Sequence, residues 1–418
     1  MDDRFRILFF GSCVAEEDSS YIIAHERGQV QFAAQKVCWY FIKGVEACLT
    51  TCDLLLSLRV SSYPVFQKIF AFNLKQRQRS NGRTMTYVPY VNLPGLRYFS
   101  TMMMAMLRLS FWLWQTKSSS KRCIIVYAMY LPHIMPIWLA SRFTDIKTIM
   151  IVPDLPEYMN FGSHGKLDFW LRNINVRIAH RIAAGFDGLV FFSKNMTEKI
   201  DCHKLHWTVI EGCVDVTLEN PDVSAVPTSG TRAIMYSGSL ERVYGVANLI
   251  TAFRQITDSR LELWLCGSGE MELQIRHHTE QDSRIKFFGS LPNREVLAMQ
   301  RRAMLLVNPR NNDQEFTRYS FPSKNLEYMS SGRPVLLCRM DGIPEEYYDY
   351  VLAADNGTAE AIRIAIVESL NLSMEELTLL GERARSFVNK NKNYITQCEK
   401  IRNLLESIFD KNGRKVWH

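Results

Sequence analysis

The stretch from Arg318 to Pro334, RYSFPSKNLEYMSSGRP, gathers residue types that could hold a phosphate and a sugar together. Pro322 fixes a helix-compatible φ, and Ser323 can cap or open the first turn. A helix start attracts anions through its unpaired N–H groups and its dipole. Ser323 adds a hydroxyl there and Lys324 a mobile positive charge. One turn on, Glu327 could accept hydrogen bonds from a pair of sugar hydroxyls. The diphosphate and ribose of a nucleotide lie about that far apart. The plain alternative is a capped surface helix with an ordinary Lys and Glu.

The flanking residues say what positions this chemistry. Met304–Val307 is a short apolar run that reads as a buried strand. Leu326 and Met329 lie three apart on one helical face, and Gly332 is placed to end the helix. Pro334 then opens a further strand, Val335–Leu337. Strand, loop, helix, strand is the unit of a parallel α/β sheet.

The pattern recurs upstream. Ala233–Leu240 is a strand meeting the small-residue loop Ser237-Gly238-Ser239, with a helix expected over Asn248–Ile256. Leu261–Cys266 runs into Gly267-Ser268-Gly269, and Lys286–Leu291 is a third strand and turn. Such loops can cradle phosphate. In the first half, Arg6–Phe10 is a strand ending in Gly11-Ser12, a turn that could approach a ligand. Asp154 follows the strand Thr148–Val152, at the end where open α/β sheets place ligands. Pro153–Tyr158, which includes Glu157, therefore reads as an active-site loop. His133 is expected in the loop after Ile124–Tyr127, as an acid/base or as a structural histidine.

In order and spacing, the segment from Ile234 to Glu346 resembles family 4 glycosyltransferases, retaining enzymes of the GT-B fold. The family pattern is Glu-x7-Glu followed by Met-x-x-Gly-x-Pro-Val. Glu327, Met329, Gly332, Pro334 and Val335 stand where it requires them. Tyr319 stands where the family has its first glutamate, which contacts the transferred sugar, and Glu315 is a shifted substitute. Ser239 replaces a frequent Arg, and Tyr244 a frequent Lys. Arg242 is the nearest cation and, with Lys324, is assigned to the diphosphate. The resemblance implies donor contacts at Gly238, Ser239, Tyr244 and Gly267, with the base packing at Leu291. Arg310, Tyr319, Ser323 and Asn325 join the same donor set. Family members often carry His-Asp where this chain has Pro153-Asp154. Asp154 would position the acceptor, with Gly11, His133 and Glu157 on the acceptor side. The implied fold is α/β, with two doubly wound Rossmann-like domains facing across a cleft. Residues 1–216 would bind the acceptor and 217–394 the nucleotide sugar, with a linker signal over Glu219–Gly230. Residues 395–418 would be a helix and basic tail returning to the first domain.

Length and composition set limits. A chain of 418 residues with 47% hydrophobic content is expected to form two domains. Ten scattered cysteines form no framework, which reads as reduced and cytosolic, and no metal site is expected. There is no Asp-x-Asp motif, so cations would take a metal's place at the diphosphate. Thr101–Trp114 reads as a helix with a Met-rich core face, interrupted by Arg108. Cys123–Ser141 lacks charged Lys, Arg, Asp and Glu, but its prolines suit a strand, a loop and a helix rather than a span.

The net charge of +7 is uneven: Met1–Lys204 holds 25 Lys+Arg against 15 Asp+Glu, and the remainder 25 against 28. Leu54–Thr144 has twelve Lys+Arg and no acid. Within it, Val65–Arg79 reads as an amphipathic helix, with Phe66, Ile69, Phe70 and Leu74 on one face. It could lie on an anionic membrane surface or pack as a core helix. Nucleic acid is a poorer partner, because the cations are spread among strands and apolar helices.

The expected activity is retaining, metal-independent transfer of a sugar from a nucleotide-diphosphate sugar, taken as a UDP-sugar. The expected acceptor is a lipid-linked saccharide in cell-surface polysaccharide assembly, at the inner face of the cytoplasmic membrane. No cofactor is implied. The alternatives are a sugar-nucleotide epimerase of the same fold and a non-catalytic nucleotide-sugar-binding protein.

Overall fold

The computed structural model describes residues 5–28, 32–70, 77–119, 121–158, 166–215 and 232–410. The linker signal at 219–230, the tail at 411–418, and Leu74 and Lys75 lie outside the described residues. The chain divides into two compact units, residues 1–213 with 394–418, and residues 214–393.

The first unit is built on β1 (Arg6–Gly11), β2 (Asp53–Leu56), β3 (Arg77–Gln78), β4 (Thr84–Tyr87), β5 (Arg122–Tyr127), β6 (Lys147–Val152), β7 (Gly188–Phe191) and β8 (His206–Val209). Their order in the sheet is β3-β4-β2-β1-β5-β6-β7-β8, and only the β3–β4 pair is antiparallel. Runs such as Ile7-Leu8-Phe9-Phe10 and Cys123-Ile124-Ile125-Val126 are fully buried, as strands covered on both faces require. The helices are α1 (Ser19–His25), α2 (Phe32–Cys48), α3 (Leu96–Gln115), α4 (Leu131–Phe143) and α5 (Lys166–Ala183). Helices α3, α4 and α5 pack side by side. They connect strands that succeed one another in a single direction along the sheet, so right-handed crossovers keep them on one face.

Two expectations change here. Within Val65–Arg79, the described residues 65–70 and 77–79 form no helix. Gln67 N–H bonds to His25 O and Arg27 N–H to Val65 O, so this chain segment runs beside residues 25–27. Phe66 is buried in the core, while Arg77 pairs with Asp18 and Arg79 with Glu46. Local cross-chain bonding and carboxylate partners outweigh helical periodicity. Secondly, His133 is not in a loop. It sits in the first turns of α4, which runs through Pro136.

The second unit contains β9 (Arg232–Ser237), β10 (Leu261–Cys266), β11 (Ile285–Gly289), β12 (Leu305–Asn308), β13 (Val335–Cys338) and β14 (Leu352–Ala354). All pairs are parallel, in the order β11-β10-β9-β12-β13-β14. Its helices are α6 (Val246–Arg254), α7 (Glu272–Gln281), α8 (Asn293–Arg302), α9 (Glu315–Arg318), α10 (Lys324–Ser330), α11 (Ala359–Leu370) and α12 (Met374–Asn391). One core, with Leu249, Phe253, Leu263 and Ile366, fills one side of this sheet. A second, with Leu306, Met329, Tyr347 and Phe387, fills the other. The last helix, α13 (Tyr394–Phe409), belongs to the first unit, where it packs on α2, β7 and β8. Strand order reverses between β1 and β5 in one unit and between β9 and β12 in the other. Such switch points open a crevice at the carboxyl ends of the strands.

Candidate active site

In the second unit the loops after β9, β10, β11 and β12 are drawn together by backbone contacts. Gly267 N–H donates to Gly289 O at 2.8 Å, and Gly238 N–H to Cys266 O at 2.9 Å. Gly267 has φ +140°, and a Cβ there would stand 1.8 Å from Gly238 O. Gly245 has φ +78°, and its Cβ would stand 2.1 Å from Pro309 O. A side chain at either place would push two loops apart, so glycine is dictated by approach as well as by φ. Gly238, exposed Ser239 and Leu291 lie on these same loops.

Glu327 is held in the first turn of α10. Lys324 Nζ donates to its Oε1 at 3.0 Å, and Gln300 Nε2 to the same atom at 2.8 Å. Gln300 also donates to Ser237 Oγ at 3.0 Å, which joins this carboxylate to the end of β9. Tyr328 OH accepts from Ser237 N–H at 2.8 Å and lies 3.0 Å from Ser237 O. Gln300 and Tyr328 were not expected here. Gln300 is the one fully buried residue of α8, a position that no local pattern marks. Ser323 is exposed and already αR, so its hydroxyl makes no cap bond.

Arg310 follows β12. Its guanidinium carbon lies 5.3 Å from the Tyr244 ring centroid and 4.8 Å from that of Phe316, and Nη2 donates to Ser320 Oγ at 2.7 Å. Two aromatic faces and a hydroxyl thus orient a permanent cation at the β9–β12 switch point. Arg242 is more open: its side chain is 63% exposed and lies 4.0 Å from Glu270. Asn325 is fully buried, and its Oδ1 accepts from Asn308 Nδ2 at 2.6 Å. It ties α10 to β12. Tyr319 is buried, while Glu315 is exposed at the start of α9.

The acceptor-side residues of the first unit have different surroundings. Asp154 is exposed, just beyond β6. Glu157 accepts from His180 Nε2 at 2.9 Å, and His180 Nδ1 lies 2.9 Å from Lys199 O. Burial raises the Glu157 carboxyl, but the His180 hydrogen bond, a backbone hydrogen bond and the charges of His180 and Lys199 together outweigh it, and the net shift is downward. Burial lowers His180, and the bond to Glu157, the Glu157 charge and the bond to Lys199 O together more than reverse this. Glu157 is therefore committed to α5. Gly11 is buried, and a Cβ there would meet Cys38 Sγ at 3.0 Å. His133 stacks on Phe10 at 4.3 Å between ring centroids. Burial and the charge of Arg97 push it down to about 3, so it stays neutral and is corrected to a core histidine.

Residues 231–371 match the family model described as Glycosyl transferases group 1. No curated protein matches the sequence. Sucrose-phosphate synthase from Thermosynechococcus elongatus is similar in structure, with TM-score 0.66 and 14% identity over 97% of this chain and 99% of that one. The Anabaena protein HepE in complex with UDP gives 0.63 and 14%, over 96% of this chain and 100% of that one. The lipopolysaccharide outer core galactosyltransferase WaaB gives 0.59 and 13%, over 96% and 99%. The fold is GT-B, in the sense of two doubly wound α/β units. The second unit carries a Glycosyl transferases group 1 domain, and by class the chain is a glycosyltransferase.

Proposed function

We propose that this chain is a retaining transferase that takes a UDP-sugar as donor and a lipid-linked saccharide as acceptor, in cell-surface polysaccharide assembly. The observation that carries the reading is Glu327, fixed by Lys324 at 3.0 Å and Gln300 at 2.8 Å beside the glycine loops. A carboxylate so held is preorganised to accept from vicinal hydroxyls, since its rotamer is set before the ligand arrives. Arg310, Lys324 and Arg242 supply positive charge for a departing diphosphate, the task a metal performs elsewhere. Arg310 stacks on Tyr244, which stands where the resembled family often has Lys, so it restores a cation there. The departing phosphate can take the acceptor proton itself, which leaves Asp154 to orient the acceptor. UDP bound to HepE supports the choice of donor base. The lipopolysaccharide in the name of WaaB supports a lipid-linked acceptor.

The test is a thermal-shift panel of UDP-, GDP-, ADP- and CMP-sugars, with product analysis on the winner. A UDP-sugar is expected to shift melting most, and chelator to leave transfer intact. Glu327→Ala is expected to weaken donor binding about ten- to a hundredfold, the value of a charged hydrogen bond. Unchanged affinity in Glu327→Ala would remove the central contact. Buried Tyr319, in place of a sugar-contacting acid, favours a second reading in which the nucleotide sugar binds without turnover. Donor binding with no product in any acceptor mixture would select it.

A further inference from the structure

Helix α3 is buried along one face and bare along the opposite one. Thr101, Ala105, Leu109 and Trp112 are buried. Trp112 Nε1 donates to Asp53 Oδ2 at 2.8 Å, which pins that face to the start of β2. At 3.6 residues per turn these four fall within an arc of about 80°. Leu96, Phe99, Met103, Leu107, Phe111 and Trp114 lie on the far side, within about 120°. Each of the six is 48 to 64% exposed. Ser100 and Ser110 are the two polar residues within that arc, and no charge interrupts the stripe. Scattered exposed apolar residues are ordinary, but six in register along a 20-residue helix form a continuous patch.

We propose that this outer face of α3 is the seat of an anionic phospholipid bilayer. The inference rests on the lipid-linked acceptor reading and adds where the chain would meet the membrane. Charge decides between the possible occupants. The stripe lies within Leu54–Thr144, which holds twelve Lys+Arg and no Asp or Glu. Exposed Lys117 follows the helix directly, and exposed Arg142 and Phe143 end the neighbouring α4. A second copy related by a two-fold axis would set the same cations against each other. An anionic interface instead offers phosphate at the rim and hydrocarbon beneath it. Phe99, Phe111 and Trp114 suit the headgroup boundary, and Met103 adapts to uneven chains. The stripe is also independent of Val65–Arg79, whose cations Arg77 and Arg79 are taken up by Asp18 and Glu46.

The experiment is co-sedimentation of the full chain with phosphatidylglycerol-containing and with pure phosphatidylcholine vesicles, at low and high salt. Binding is expected to the anionic vesicles, weakening with salt. The triple variant Phe99→Ser, Met103→Ser, Trp114→Ser is expected to bind at least tenfold more weakly. Leu107→Glu, a single change on the same exposed face, is expected to do likewise with an unchanged melting temperature. Wild-type binding by both variants would overturn the proposal, as would failure of the wild type to bind. So would a dimer that the triple variant dissolves while vesicle binding persists. Donor binding, measured beside it, reports on the enzymatic reading alone, so either can fail without the other.

Discussion

Arg310 is the side chain whose surroundings most restrict what it can do. Its guanidinium sits between the rings of Tyr244 and Phe316, with Ser320 fixing one nitrogen. A planar cation loses little freedom there when an anion arrives, whereas a lysine would keep its charge but neither stack nor fork. If Arg310 meets the diphosphate, Arg310→Ala weakens UDP binding about tenfold. Arg310→Lys recovers only part of that. Uridine binding should not change in either variant. Equal losses for UDP and uridine, read by calorimetry, would assign Arg310 to loop packing instead. The sequence made Glu327, Lys324 and the glycines legible, because their spacing follows from strand, turn and helix. Gln300 was not legible, since its partner Glu327 lies on another helix and no local period reports a tertiary hydrogen bond. His133 and Glu157 misled for a related reason: a polar residue near a strand end looks available until packing or a partner has claimed it.

Among the elements, the strands were the most readable, because apolar runs such as Leu305–Val307 leave few other places to go. Val65–Arg79 carried a helical period, but cross-chain bonds to residues 25–27 took precedence. The Met-rich segment Thr101–Trp114 lies within α3, yet only part of its apolar surface is core, which periodicity cannot reveal. The loop after β6 is tied to α5 by Glu157 and His180, and this link sets a pH window. His180 is raised above its ordinary 6.5, so its contribution is complete below that value and is lost as pH rises through the raised one. Glu157 is lowered below its ordinary 4.5, so its contribution is complete above that value and is lost as pH falls through the lowered one. The pair therefore stabilises most between 4.5 and 6.5. The melting difference between wild type and His180→Asn should be largest in that window and shrink above it. A difference that grows toward alkaline pH would show that the link does not depend on a charged His180.

At the scale of the whole chain, the first unit is finished last. Residues 214–393 are made in between, and only then does α13 cover α2 and β8. Its attachment is close. Phe5 and Phe409 lie 5.4 Å apart, and Lys400 Nζ donates to Val209 O at 3.0 Å. Gly44 of α2 admits α13 at contact distance, since a Cβ there would stand 2.3 Å from Cys398 Sγ and 2.5 Å from Tyr394 O. Gly44→Val must therefore separate the two helices. Overpacking of this kind costs about 1–3 kcal/mol. That cost should fall on the first unit, because every group that must move belongs to it. Hydrogen exchange can read the difference directly. Amides of β7, β8 and α2 should exchange faster in Gly44→Val, while those of β9 to β13 keep their protection. Equal loss of protection in both sheets would mean that the two units open as one, and that α13 holds more than the unit it completes.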